Sequence, residues 1–299
     1  IEFLSLGEFN KKTVSLKPLA KLNNLNSLSL VRNKKDIDSI TCLTGLTDLS
    51  LTGYQEKQIE HVADLINLEH LYLGFGTFES LNAIKELTNL QSLEILWVKK
   101  LHDLSSIESL PCLERLSLST LKQVTCIPDI SNLGRMKSLV LDTMNGLSSL
   151  SGIKGSSITE LAIINSKIDP LLFSEIAGNL PFLKRLILTL GTKENTQEAN
   201  RFFDRTIIRE TLNDLKYSTN RRARIEFCRY QAVKAVFSHH VKGDVYCLWN
   251  NGLDEVLSTN TIVSVRRTSR INVFENCLPY KYKNARHKAG RLQRNSVKA

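Results

Sequence analysis

Long apolar runs, closely spaced cysteines and glycine-rich loops are all missing from this 299-residue chain, and each absence removes a class of function. No stretch approaches the roughly 18 consecutive apolar residues that a membrane span needs. The six cysteines, at 42, 112, 126, 228, 247 and 277, include no pair at the short spacing of a structural zinc site. His239 and His240, with Cys228, Cys247 and Cys277, come nearest to a metal cluster but lack that spacing, so no metal ligand is assigned. Scattered thiols fit a reducing compartment better than a disulfide framework, which points to the cytoplasm. There is no Gly-x-Ser-x-Gly elbow and no phosphate-cradling loop. Asp and Glu are plentiful in the first half, but at positions expected to face solvent. No catalytic residue and no cofactor is assigned, and the chain is expected not to be an enzyme. Aromatics make up only 7% of a chain that is 42% hydrophobic, so aliphatic side chains must fill the core.

The chain also opens at Ile1 without a methionine or a charged-then-apolar leader. The expectation is that something upstream was removed or lost, which leaves secretion open.

The net charge of +10 is unevenly placed. Residues 216–299 hold 17 Lys plus Arg against five Asp plus Glu, leaving 23 basic and 25 acidic residues for the first 215. The excess positive charge therefore belongs to the last stretch alone.

What is present is a repeat. Leu16, Leu19, Leu22, Leu25, Leu28 and Leu30 fall three apart and then two apart. The pattern returns as Ile37, Ile40, Leu43, Leu46, Leu49, Leu51 and as Ile59, Val62, Leu65, Leu68, Leu71, Leu73. Later units end in Leu93–Ile95, Leu116–Leu118, Leu139–Leu141, Leu161–Ile163 and Leu186–Leu188, and Ile1, Leu4 and Leu6 look like the tail of an earlier one. From Leu28 through Leu49, Leu71, Leu93, Leu116, Leu139 and Leu161 the steps are 21, 22, 22, 23, 23 and 22 residues, with 25 to Leu186. Two apolar residues separated by one spacer lie on one face of a strand. Three-residue spacing suits a tight 3₁₀-like turn. Each unit is thus a strand and a turn whose apolar faces are covered only by stacked neighbours. With ~1.5–3 kcal/mol for each fully buried aliphatic side chain, stacking is the main driving force.

These leucine columns resemble the leucine-rich-repeat family, in its 22-residue, internalin-like class, over roughly residues 1–190. The resemblance implies an α/β repeat solenoid: a leucine-rich-repeat horseshoe with a concave parallel β-sheet, recognising a partner protein on the concave face. In that family an asparagine three residues after the second strand leucine ties neighbouring turns together. Only Asn33 matches; the column otherwise reads Phe9, Tyr54, Gly76, Val98, Leu121, Met144, Ser166 and Gly191. Backbone amides of those loops must find other partners.

The residues between and beside the strand leucines are expected on the concave face. The middle column reads Ser5, Ser29, Ser50, Tyr72, Glu94, Ser117, Val140, Ala162 and Ile187. The column before the first leucine reads Phe3, Ser27, Asp48, His70, Ser92, Arg115, Ser138, Glu160 and Arg185. Most are small and polar. The exception is central, where His70, Tyr72, Glu94, Leu96 and Arg115 come together, with Phe75 and Trp97 just beyond two adjacent strands. Aromatics and arginine amid small residues form the expected partner-binding patch. The competing reading is that Phe75 and Trp97 pack the loops in place of the missing asparagines.

The period stops after Gly191. Asn195 and Glu198 have the form of a capping box, and Phe203, Ile207, Ile208, Leu212 and Leu215 recur at helical spacing. A capping helix is therefore expected over 191–218. Residues 219–299 form a basic C-terminal segment, expected to be partly disordered or a small β-rich module. Val245 to Trp249 and Leu253 to Leu257 are strand-like about a turn at Asn251-Gly252. Nucleic-acid or acidic-surface binding through this segment is the alternative function.

Overall fold

The strands form where two aliphatic residues of the repeat are separated by one spacer, as the leucine columns led one to expect. In the computed structural model, which describes residues 1–7, 14–203, 207–209 and 245–248, they are β1 (Phe3–Leu6), β2 (Ser27–Val31), β3 (Asp48–Thr52), β4 (His70–Gly74), β5 (Ser92–Leu96), β6 (Arg115–Ser119), β7 (Ser138–Asp142), β8 (Glu160–Ser166) and β9 (Arg185–Leu190). Each pairs parallel with the next, leucine against leucine: Leu28 with Leu49, Leu71 with Leu93, Leu116 with Leu139. Just before each strand one carbonyl accepts two amides of the following unit, as Asn26 does from Thr47 and Asp48. The same pairing recurs at Thr47, Glu69, Gln91, Glu114, Lys137 and Thr159, which locks the register from rung to rung.

The returning segments are short 3₁₀ turns, as at Ile37–Cys42, Glu60–Asp64 and Ser105–Ser109. One α-helical turn, α1 (Glu56–Ile59), carries a Gln55/Gln58 capping box. The leucine and isoleucine columns converge on one continuous buried cluster from Leu4 to Phe203. A parallel sheet backed by stacked turns around an aliphatic core is the leucine-rich-repeat solenoid that the resemblance implies.

After β9 comes α2 (Lys193–Asn200), whose N-cap is Thr192, not Asn195. Asn195 is its third residue, and its amide donates to the Thr192 hydroxyl. The helix is thus shorter than the stretch expected over 191–218, and Ile208, expected to be helical, is extended. It lies in β10 (Ile208–Arg209), which pairs parallel with β9. Helix α2 and the turn after it bury Ala199 and Phe203 in the core, where the Phe203 ring meets Phe173 edge-on at 6.0 Å. At the other end β11 (Val245–Leu248) pairs parallel with β1. The remainder of the basic segment, including the expected Asn251-Gly252 turn, lies outside the described residues.

Candidate recognition surface

Alternation along β4, β5 and β6 sends Leu71, Leu73, Leu93, Ile95, Leu116 and Leu118 into the core and the residues between them to the open face of the sheet. In-register pairing lines up His70, Ser92 and Arg115 in one row, Tyr72, Glu94 and Ser117 in a second, and Gly74, Leu96 and Ser119 in a third. Three adjacent strands, within about 10 Å, therefore hold five of the seven expected site residues.

Tyr72 does not stand up from this face. A Cβ placed on Gly74 would lie 2.3 Å from the Tyr72 hydroxyl oxygen, so the ring lies along its own strand over the space a side chain at 74 would fill. Tyr72 and its diagonal neighbour Leu96 are each only 6% exposed, and together they form a low apolar floor.

Phe75 and Trp97 project beside that floor, at the point where the chain leaves each strand. Their φ angles are 54° and 48°, in the left-handed region. Arg32, Gly53, Thr120, Thr143 and Asn165 are left-handed at the same place in their units. The turn lets the amide at this position extend the sheet by one more bond: Phe75 donates to the Leu96 carbonyl at 2.8 Å and Trp97 to that of Ser119 at 2.9 Å. The same bond joins Arg32 to Thr52, Thr120 to Asp142 and Thr143 to Ile164. A bulky residue held left-handed costs ~1–3 kcal/mol, so these aromatics occupy places that glycine would fill with less strain. Their rings approach to 5.5 Å between centroids, tilted by 49°, and Trp97 remains 42% exposed.

The asparagine-ladder work is carried one residue later. The Asn33 amide donates to the carbonyls of Leu6, Gly7 and Val31. The buried Tyr54 hydroxyl donates to the Asn33 carbonyl at 2.8 Å, and burial pushes its pKa up. Gly76 leaves room for the Phe78 ring, while Val98, Leu121 and Met144 fill the interior with apolar bulk. Ser166 restores a polar rung by accepting the Met144 amide. Loop packing thus occupies the column next to Phe75 and Trp97.

Charges ring the apolar centre. Arg115 lies 3.7 Å from Glu114, which also pairs with Lys137 at 2.9 Å. The Lys137 hydrogen bond holds the Glu114 carboxyl below its ordinary pKa. Towards β7 a polar network begins, in which Ser119 and Thr143 donate to the Asp142 carboxylate at 3.2 and 2.8 Å. Sequence reasoning passed over this network and a second apolar strip, Val140, Ala162 and Ile187, in the middle column of β7 to β9. Three successive apolar residues in a column otherwise rich in serine were the available signal.

Among the described residues, no group of three or more His, Cys, Asp or Glu is placed to hold a metal ion. No described helix is long and apolar enough to cross a membrane. Cys42, Cys112 and Cys126 are free thiols.

No family model matches the chain, and no curated protein does. Among solved structures it is similar to an internalin (inlF) of Listeria monocytogenes, at 19% identity and a TM-score of 0.45 over 67% of this chain. The similarity spans 65% of that internalin's length. It is also similar to internalin C2 of the same organism, at 19% identity and a TM-score of 0.43, over 69% of this chain and 80% of that one.

Proposed function

We propose that this chain is a non-catalytic scaffold that seats a partner protein on the open face of its sheet, centred on His70, Tyr72, Phe75, Glu94, Leu96, Trp97 and Arg115. The observation that carries the reading is the Phe75–Trp97 ring pair, in contact and partly exposed. It is held in strained left-handed positions beside a buried apolar floor, while the packing of the loops is done by the next residue along. An aromatic centre with charged margins has the make-up of an interface hot spot. Other large apolar residues are more exposed than Trp97, among them Ile66, Leu171 and Phe182, but each sits on a separate turn outside the strands. Scattered single residues carry no such meaning. The exposed thiols of Cys42 and Cys126 support a cytoplasmic setting.

The test uses a partner isolated with the full chain and measures its affinity for three forms. Phe75→Ala/Trp97→Ala should bind at least ten times more weakly at an unchanged melting temperature, and Ile66→Ala should bind as the parent does. Unaltered affinity in the double variant, or a loss that tracks a fall in melting temperature, would overturn the reading.

A second reading rests on the 17 basic against five acidic residues of 216–299. Nucleic-acid or acidic-surface binding there would fall steeply with salt as phosphate contacts release counterions. Binding through the aromatic floor would change little.

A further inference from the structure

A parallel sheet is stable when both of its edges are dealt with, since an open edge offers unpaired amides and carbonyls to any passing strand. At one edge β9 is followed by β10 and flanked by α2. The other edge is β1, and it is covered by β11, a strand that arrives from far along the chain. The pairing is parallel and unbroken over four residues: Phe3 with Val245, Leu4 with Tyr246, Ser5 with Cys247, Leu6 with Leu248. Tyr246 and Leu248 therefore take the register positions that leucine or isoleucine holds from β1 to β9, and Cys247 stands level with Ser5 and Ser29.

Two further observations agree. The sequence Val245-Tyr246-Cys247-Leu248 repeats the apolar-spacer-apolar spacing of the solenoid strands, and Asn251 follows Leu248 at the interval by which Asn33 follows Leu30. Leu4 and Leu6 are 1% and 0% exposed, like the matching Leu28 and Leu30 of the interior rung β2, at 0% each. A terminal rung with one flank in water would not bury its leucines so fully.

We propose that the edge of β1 is a strand-accepting surface, and that its occupant is residues 245–248 of the same chain, serving as a surrogate repeat that closes the solenoid in cis. The recognition is backbone pairing along β1, with an alternating apolar pattern setting the register.

The register gives a direct test. Adjacent strands lie about 4.8 Å apart, within the Cα separation that a disulfide spans, whereas two strands away is too far. In the full chain with Cys42, Cys112, Cys126, Cys228 and Cys277 replaced by serine, Ser5→Cys should form an intramolecular bridge to Cys247 under mild oxidation. The bridge is read by non-reducing electrophoresis and peptide mapping. Ser29→Cys, one strand further in, should not. A Ser5→Cys chain that stays reduced, that bridges as readily from position 29, or that links two molecules instead of one would overturn the proposal. An independent measurement needs no cysteine chemistry. Cys247→Pro, which cannot keep strand pairing, should speed amide exchange in Leu4–Leu6 at least tenfold and leave Leu93–Ile95 unaltered. Unchanged protection of β1 would contradict it.

Discussion

The two faces of β4 and β5 follow opposite rules. On the core side Leu71, Leu73, Leu93 and Ile95 repeat what every other rung has, and each is buried by its neighbours above and below. On the open side Tyr72, Phe75 and Trp97 have no aromatic counterpart in the rungs of β2 and β3, where Ser29, Ser50, Arg32 and Gly53 hold those positions. Repetition carries stability, because only identical rungs stack. The left-handed exit turn belongs to the repeat and is shared with Arg32, Thr120, Thr143 and Asn165. What departs from it at 75 and 97 is the pair of aromatic rings, with Trp97 42% exposed. If the open face seats the partner as proposed, stability and recognition are separable by side chain within one strand.

The largest effect should come from the core side. Leu93→Ala leaves a cavity between two rungs and should lower unfolding free energy by ~2–5 kcal/mol, read by urea denaturation, with the open face chemically untouched. Next is the polar part of the ladder. Tyr54→Phe removes the hydroxyl bond to the Asn33 carbonyl and leaves that buried acceptor unmet, for a loss of ~1–3 kcal/mol. The raised Tyr54 pKa has a sign as well. Its stabilising contribution is complete below the ordinary tyrosine pKa and is lost as pH rises towards the folded-state value, so the parent should lose more stability than Tyr54→Phe in strongly alkaline solution.

On the open side Trp97→Gly sharpens the contrast. Glycine relieves the left-handed backbone, while the lost ring contact is worth ~0.5–1.5 kcal/mol. The melting temperature should therefore barely move, although partner affinity collapses. The smallest effect should be at Glu114, whose pair with the half-exposed Lys137 is worth under ~1 kcal/mol. Because the folded carboxyl titrates below its ordinary value, that contribution is present above the unfolded carboxylate pKa and vanishes as pH falls through the folded one. A Glu114→Gln chain should converge with the parent in acid.

The same contrast explains what could be read from residues alone. Leucine columns are dictated by burial, so the aliphatic frame of all nine repeat strands was legible. The left-handed column was not, because Phe75, Trp97, Thr120 and Thr143 are residues that avoid that conformation, and only Gly53 and Asn165 hinted at it. Gathering His70, Tyr72, Glu94, Leu96 and Arg115 needed only the register, but the recumbent Tyr72 depended on Gly74, whose role is purely steric. The start of α2 was misplaced because Thr192 and Asn195 are both good caps, and the strand exit at Leu190 favours the first. Ile208 was assigned by helical spacing, yet the edge of β9 offers backbone partners that spacing does not record. Val245–Leu248 was legible as a strand but not as the neighbour of Phe3–Leu6, since pairing between strands so distant along the chain leaves no local trace.

Where a partner sits can be mapped position by position by photocrosslinking. A photoreactive phenylalanine analogue placed at 97 in the full chain should capture the partner. The same group at Ile66 or Phe182, on exposed turns away from the strands, should not. Capture at 66 or 182 with none at 97 would contradict the account, because the face that breaks the repeat would then not be the face that binds.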